Sequence, residues 1–163
     1  MKQIVIVRHA KAVPYGYEDD FNRNLTDRGK NDANKVSNEL KNRGIKPDLI
    51  LSSPAKRALK TARIFADNLG IERNQIREVD EIYDGLTTSE FLDLIHSLSE
   101  TVDIAFFFGH NPGFHFFVNN LLKKTVNEMP TCSTVGIGFS VESWKKTEAR
   151  TGELTFRITP KML

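Results

Sequence analysis

The chain has 163 residues, 39% hydrophobic and 27% charged, a balance that leaves no compositional case for disorder or a fibre. Its 23 Lys and Arg against 21 Asp and Glu leave a formal net charge of +2, too small to imply a nucleic-acid or membrane partner without local clustering. The single Cys132 excludes an internal disulfide, and no apolar run approaches the roughly 18 residues of a membrane span. Met1 to Val7 lead into a strand-like pattern without the longer apolar segment of a signal peptide, so a cytoplasmic chain is expected. With no repeat or linker, residues 1–163 are expected to form a single domain.

In chain order, Ile4-Val5-Ile6-Val7 predicts a buried strand ending at Arg8-His9. Thr26 can cap a helix that carries Ala33, Val36 and Leu40 on one face and stops at Gly44. Asp48 to Leu51 repeats the strand pattern, and Ser53-Pro54 read as N-cap and first residue of a helix bearing Ala58, Ala62, Phe65 and Leu69, closed by Gly70. Thr87 and Glu90 have capping-box spacing ahead of Phe91, Leu94, Ile95 and Leu98. Ile104 to Phe108 give a further strand, after which Asn111-Pro112 open a helix with Phe114, Phe117, Val118 and Leu121. Beyond it, Val135, Ile137, Phe139 and Val141 alternate with small or polar residues, as do Leu154, Phe156 and Ile158 near the turn-prone Gly152, so an antiparallel strand pair is expected.

Continuous apolar strands suit a sheet covered on both faces, and their alternation with helices predicts a three-layer α/β/α sandwich with a mostly parallel sheet. Ligands of such folds bind beyond the carboxyl ends of the parallel strands. Arg8-His9, Ser52-Ser53 and His110-Asn111 all fall there. Two of these exits lead into predicted helix N-termini, whose backbone donors favour an anion, so the predicted ligand is phosphate-like.

Taken singly, His9, His110 and Arg57 read as a structural histidine, another, and a solvated charge. Together they resemble the motif set of the histidine phosphatase, or phosphoglycerate mutase-like, superfamily. Arg8-His9-Ala10 resembles its Arg-His-Gly signature, Ser52 to Ala62 its second-arginine helix, and Gly109-His110-Asn111-Pro112-Gly113 its second-histidine loop. Short length, Ala10 after the Arg-His pair and the segment Arg23 to Gly29 are similar to the SixA-type phosphohistidine phosphatases.

The resemblance implies a covalent nucleophile at His9, with Arg8, Arg57 and His110 around the same phosphoryl group and Arg23 as an added phosphate-binding residue, for which Arg28 and Lys11 compete. Arginine forks can hold the equatorial oxygens during in-line transfer, so no cofactor or metal is expected. Asp19-Asp20, the nearest carboxylate pair, reads as a solvated loop. Glu81 is the positional match to the relatives' general acid, with Asp84 as alternative. A weak acid and no covering insertion favour protein-borne phosphohistidine as substrate, since imidazole leaves readily once protonated. A small phosphate ester, a non-catalytic phosphate-binding module and mutase chemistry are the alternatives. His96, His115, Trp144 and Phe106 to Phe108 are expected to be structural.

Overall fold

A computed structural model describes residues 1–16 and 19–163. Its strands are β1 (Lys2–Arg8), β2 (Leu49–Ser52), β3 (Ile76–Glu78), β4 (Ile104–Gly109), β5 (Thr134–Phe139) and β6 (Glu153–Ile158), in one sheet of order β3-β2-β4-β1-β5-β6. The pairs β1–β4, β2–β4 and β2–β3 are parallel, whereas β5 runs antiparallel to both β1 and β6. The expected α/β architecture with an antiparallel C-terminal pair is what the chain adopts.

The continuous apolar runs divide by residue parity, because successive strand side chains point to opposite faces. Ile4, Ile6, Ala105 and Phe107 face one core with Phe91, Ile95, Phe114, Phe117 and Trp144. Val5, Val7, Phe106 and Phe108 face the other with Ala33, Val36, Leu40, Ala62 and Phe65. Thus α1 (Asp27–Asn42) and α2 (Lys56–Leu69) cover one face, while α4 (Thr88–His96) and α5 (Gly113–Leu121) cover its opposite. Burying each large apolar side chain on this scale contributes roughly 1.5–3 kcal/mol. Trp144 is sealed inside and donates its indole N–H to Val102 at 2.7 Å, as a packing residue should.

Thr26 caps α1 by accepting from Gly29, and Thr87 with Glu90 forms the full capping box of α4. Two helix starts differ from the sequence reading. The first residue of α2 is Lys56, two positions beyond the predicted Pro54, because the Ser53 hydroxyl accepts from Ala55 N and is also turned toward His110. Likewise α5 starts at Gly113, with Pro112 ahead of it and no side-chain cap. The sequence reading also passed over β3 and the short α3 (Asp80–Asp84), which are three and five residues long. No helix among the described residues is long and apolar enough to cross a membrane.

Candidate active site

Strand register creates the site. Arg8 lies opposite Gly109, and Ser52 opposite Phe108, so the chains leaving β1, β2 and β4 emerge side by side as His9, Ser53 and His110. The exits are tied together, since His9 N donates to Gly109 O and Ser53 N to Phe108 O, each at 2.9 Å. The antiparallel β5 brings its entry segment to the same edge, where Cys132 N donates to His9 O at 3.0 Å. Gly109 is required for this crossing: a Cβ there would stand 2.4 Å from the Phe114 ring.

These exits enclose a pocket of about 220 Å³ lined by Arg8, His9, Lys11, Ala12, Arg23, Arg57, His110, Asn111 and Thr131. The four residues singled out first, and Arg23, are therefore gathered in one place. Of the competitors, Lys11 is also at the pocket, whereas Arg28 lines a neighbouring cleft of about 400 Å³ that meets the pocket at Thr131.

His9 is buried, with Nδ1 2.7 Å from Ala10 O. A carbonyl can only accept, so the proton is assigned to Nδ1 and the lone pair to Nε2. Burial pushes this imidazole down to about 4; the Ala10 bond opposes that, while Arg57, Arg8 and Arg23 add to it. The His110 ring stands 5.4 Å away, centroid to centroid. Its Nε2 lies 2.7 Å from Ser53 Oγ, which already accepts from Ala55 N, so the hydroxyl is assigned as donor to Nε2 and the ring proton to Nδ1. Burial, then the nearby His9 and Arg57, push His110 down to about 3. Both rings are neutral at pH 7.

Arg57 comes from the first turn of α2, a helix pinned to the site by Thr61, whose hydroxyl donates to Arg57 O at 2.8 Å and accepts from Ala10 N at 3.0 Å. Arg8 is anchored by donating from Nη1 to Met129 O at 3.0 Å. Three buried nitrogens of these residues, Arg8 Nε, Arg57 Nε and His110 Nδ1, have no hydrogen-bond partner. A buried polar group left unpaired costs about 1–3 kcal/mol, and Asn111 Oδ1 is a further unpaired atom of a pocket residue.

Asp20 is a correction to the sequence reading. Rather than a freely solvated loop carboxylate, it bridges the arginines: Oδ1 accepts from Arg23 Nη2 at 2.9 Å, and Oδ2 accepts from Arg57 Nη2 at 3.1 Å and Tyr83 Oη at 2.8 Å. Burial raises its pKa, but the Tyr83 bond and the Arg57 charge outweigh that and hold the carboxyl below its usual range. Tyr83 is pushed up by the same bond, and its ring packs edge-on at 5.7 Å from His110. The only sequence signal for this cluster is the i, i+3 spacing of Asp20 and Arg23.

Glu81 is not brought to the pocket. It is exposed in the first turn of α3, and Asp84 is exposed at that helix's end; Tyr83 is the α3 residue that reaches the site. His96 and His115 pair with the backbone carbonyls of Thr147 and Val126, away from the pocket. Among the described residues no group of three or more His, Cys, Asp or Glu could hold a metal ion.

A buried histidine with a free ring nitrogen thus lies in one pocket with three arginines and a second, partly buried histidine. Residues 4–104 match the family model of the histidine phosphatase superfamily (branch 1), and the chain belongs to that superfamily. The structure of the protein histidine phosphatase SixA complexed with tungstate shares the fold, with a TM-score of 0.84, 20% identity and 98% of each chain covered. SixA from Agrobacterium tumefaciens gives 0.80 at 24% identity, again over 98% of each chain. Among curated sequences, the mitochondrial serine/threonine-protein phosphatase Pgam5 of Drosophila mojavensis is 29% identical over 84 residues, 52% of this chain. The match takes in only 29% of the Pgam5 length. An uncharacterised chloroplast protein of Arabidopsis thaliana is 28% identical across 93% of this chain and 72% of its own.

Proposed function

We propose that the chain is a phosphatase that moves the phosphoryl group of a protein-borne phosphohistidine onto His9 and then onto water. The observation that carries this reading is the free Nε2 of His9 in a pocket lined by Arg8, Arg23, Arg57 and His110. In the first step the Nε2 lone pair forms a bond to phosphorus as the bond to the substrate's imidazole breaks, and that imidazole leaves with a proton. In the second, water attacks phosphorus, inorganic phosphate departs, and His9 regains its lone pair.

Arg8, Arg57 and His110 hold the equatorial oxygens, where each preorganised donor contributes about 3 kcal/mol to the transition state. Guanidinium charge thereby does the work that divalent ions do elsewhere, and the reaction is metal-independent. Arg23 adds a fourth cationic contact at the pocket wall.

The acid–base chemistry at the rim favours phosphoramidate over phosphate ester. An alkoxide leaving group needs a proton from the enzyme, yet Asp20 is held ionised, Tyr83 holds its proton more tightly than usual, and Glu81 lies off the pocket. A histidine leaving group takes its proton from water. The neighbouring cleft, which shares Thr131 with the pocket wall, gives a protein segment room to approach. The likeness to SixA, whose name is that of a protein histidine phosphatase, points the same way.

Phosphate release from a histidine-phosphorylated phosphotransfer domain, compared with release from sugar phosphates and p-nitrophenyl phosphate, tests the substrate. The expected result is a far higher kcat/KM on the domain. Faster turnover of the esters would reassign the enzyme to small phosphomonoesters.

A further inference from the structure

One cluster of positive charge outside the pocket lies across two neighbouring helices. Lys56, Lys60 and Arg63 follow one another at i, i+4 and i+7 along α2, and Lys30 joins them from the adjacent α1. Lys30, Lys60, Arg63 and Arg73, with Leu25 and Ile64, line a shallow groove of about 290 Å³. Arg73 is neutralised by Asp67, at 2.6 Å. No ion pair among the described residues includes Lys30, Lys56, Lys60 or Arg63. Burial and then the charges of Lys56, Lys30 and Arg63 hold the Lys60 ammonium below its ordinary range. Like charges at this helical spacing repel, so the cluster costs stability until an anionic surface meets it.

This face adjoins the pocket. Leu25, in the groove wall, forms a bridge with the pocket residue Ala12. Along α2, Lys56 to Arg63 spans about 10 Å at 1.5 Å per residue, the length over which a partner helix presents two turns of carboxylates.

We propose that the Lys30–Lys56–Lys60–Arg63 face docks an acidic surface of the protein substrate and so delivers its phosphohistidine to His9. The proposal rests on the phosphatase reading above. A protein partner is favoured over nucleic acid because the groove is lined by aliphatic Leu25 and Ile64, with no aromatic side chain among its described lining residues for bases to stack on. It is favoured over a membrane because Leu25 is buried and Ile64 partly so, leaving no large exposed apolar side chain in the groove to insert.

The test is the double variant Lys60→Glu with Arg63→Glu, alongside the milder Lys56→Gln with Lys60→Gln as a guard against misfolding. Substrates are a histidine-phosphorylated phosphotransfer domain with an acidic face and the small compound phosphoramidate. Charge reversal should raise KM for the domain about tenfold or more, leave kcat on it unchanged, and leave phosphoramidate turnover at the wild-type level. Added salt should weaken the wild-type enzyme on the domain alone. Equal KM values on the domain for wild type and both variants, or parallel losses on both substrates, would overturn the docking role. So would wild-type binding of an RNA hairpin or anionic vesicles that charge reversal abolishes while domain turnover persists. Binding of the phosphorylated domain to His9→Ala, with and without charge reversal, reads docking apart from catalysis. A loss of affinity on reversal supports the proposal even where turnover fails, and unchanged affinity rejects it.

Discussion

Asp20 occupies both outer nitrogens of Arg57, its backbone carbonyl accepting from Nη1 at 2.6 Å and its carboxylate from Nη2 at 3.1 Å. One N–H on each of those nitrogens is left over, and Arg57 Nε is buried without a partner, while Asp20 itself is not among the residues lining the pocket. Its place is behind the guanidinium, where it sets the plane. Replacing Asp20 with Asn should lower kcat by roughly ten- to a hundredfold, the range that follows from small misplacements of binding groups. The thermal midpoint should change little, because the side chain is about a third exposed and such pairs are screened. Higher turnover in Asp20→Asn would mean instead that Asp20 competes with substrate for the arginines.

Arg57→Lys keeps the charge but loses the fork, so it should reduce kcat by roughly a hundred- to a thousandfold, with a smaller change in KM. Steady-state kinetics on phosphoramidate, whose binding uses little beyond the pocket, provide the measurement. A pure KM effect would show that Arg57 binds the ground state as tightly as the transition state.

Both imidazoles should remain neutral well below the usual histidine range. Nuclear magnetic resonance of the ring protons should show no titration of His9 or His110 between pH 5 and 8 in the free protein, in line with values of about 4 and about 3. A midpoint near 6.5 for His9 would contradict the burial and arginine crowding assigned to it.

The same shifts make stability fall on acidification. The unfolded chain protonates His9 near 6.5 and the folded chain only near 4, so below pH 6.5 the unfolded state binds the extra proton and gains. The loss grows as pH falls from 6.5 to about 4 and then levels, at about 3 kcal/mol for His9, with His110 acting in the same direction. Urea midpoints of wild type and His9→Gln at pH 7 and pH 5 should therefore differ, the variant losing less. Identical losses would contradict the burial of a neutral His9.

Chelation should leave turnover unchanged, because the phosphoryl charge is assigned to guanidiniums. Loss of activity in EDTA, restored by a divalent ion, would overturn metal independence.

The sheet was legible because it follows from local pattern, whereas the pocket's main residues were legible through the resemblance of their motifs to those of a family. Phe106 to Phe108 can form a continuous apolar run only in a strand covered on both faces, and each such strand ends on a polar residue at the same edge. What sequence missed depends on distant partners. Asp20 is 37 residues from Arg57 and 63 from Tyr83, so nothing beside it distinguishes it from an exposed loop acid. Ser53 has the composition of a helix cap, but its hydroxyl is turned to His110, 57 residues on. Glu81 rests on its positional likeness to the relatives' general acid, and a single helical turn decides that Tyr83 rather than Glu81 reaches the site. Strand β3, with one half-buried residue, is too short for its period to show.

Rapid-quench trapping of the phosphoenzyme tests covalent catalysis most directly. Mixing the protein with a phosphorylated substrate, quenching in base and mapping the peptides by mass spectrometry should locate one acid-labile phosphoryl group on the peptide containing His9, forming before phosphate is released and absent in His9→Ala. Phosphate release at the wild-type rate with no such species, or with the label on another residue, would contradict the account.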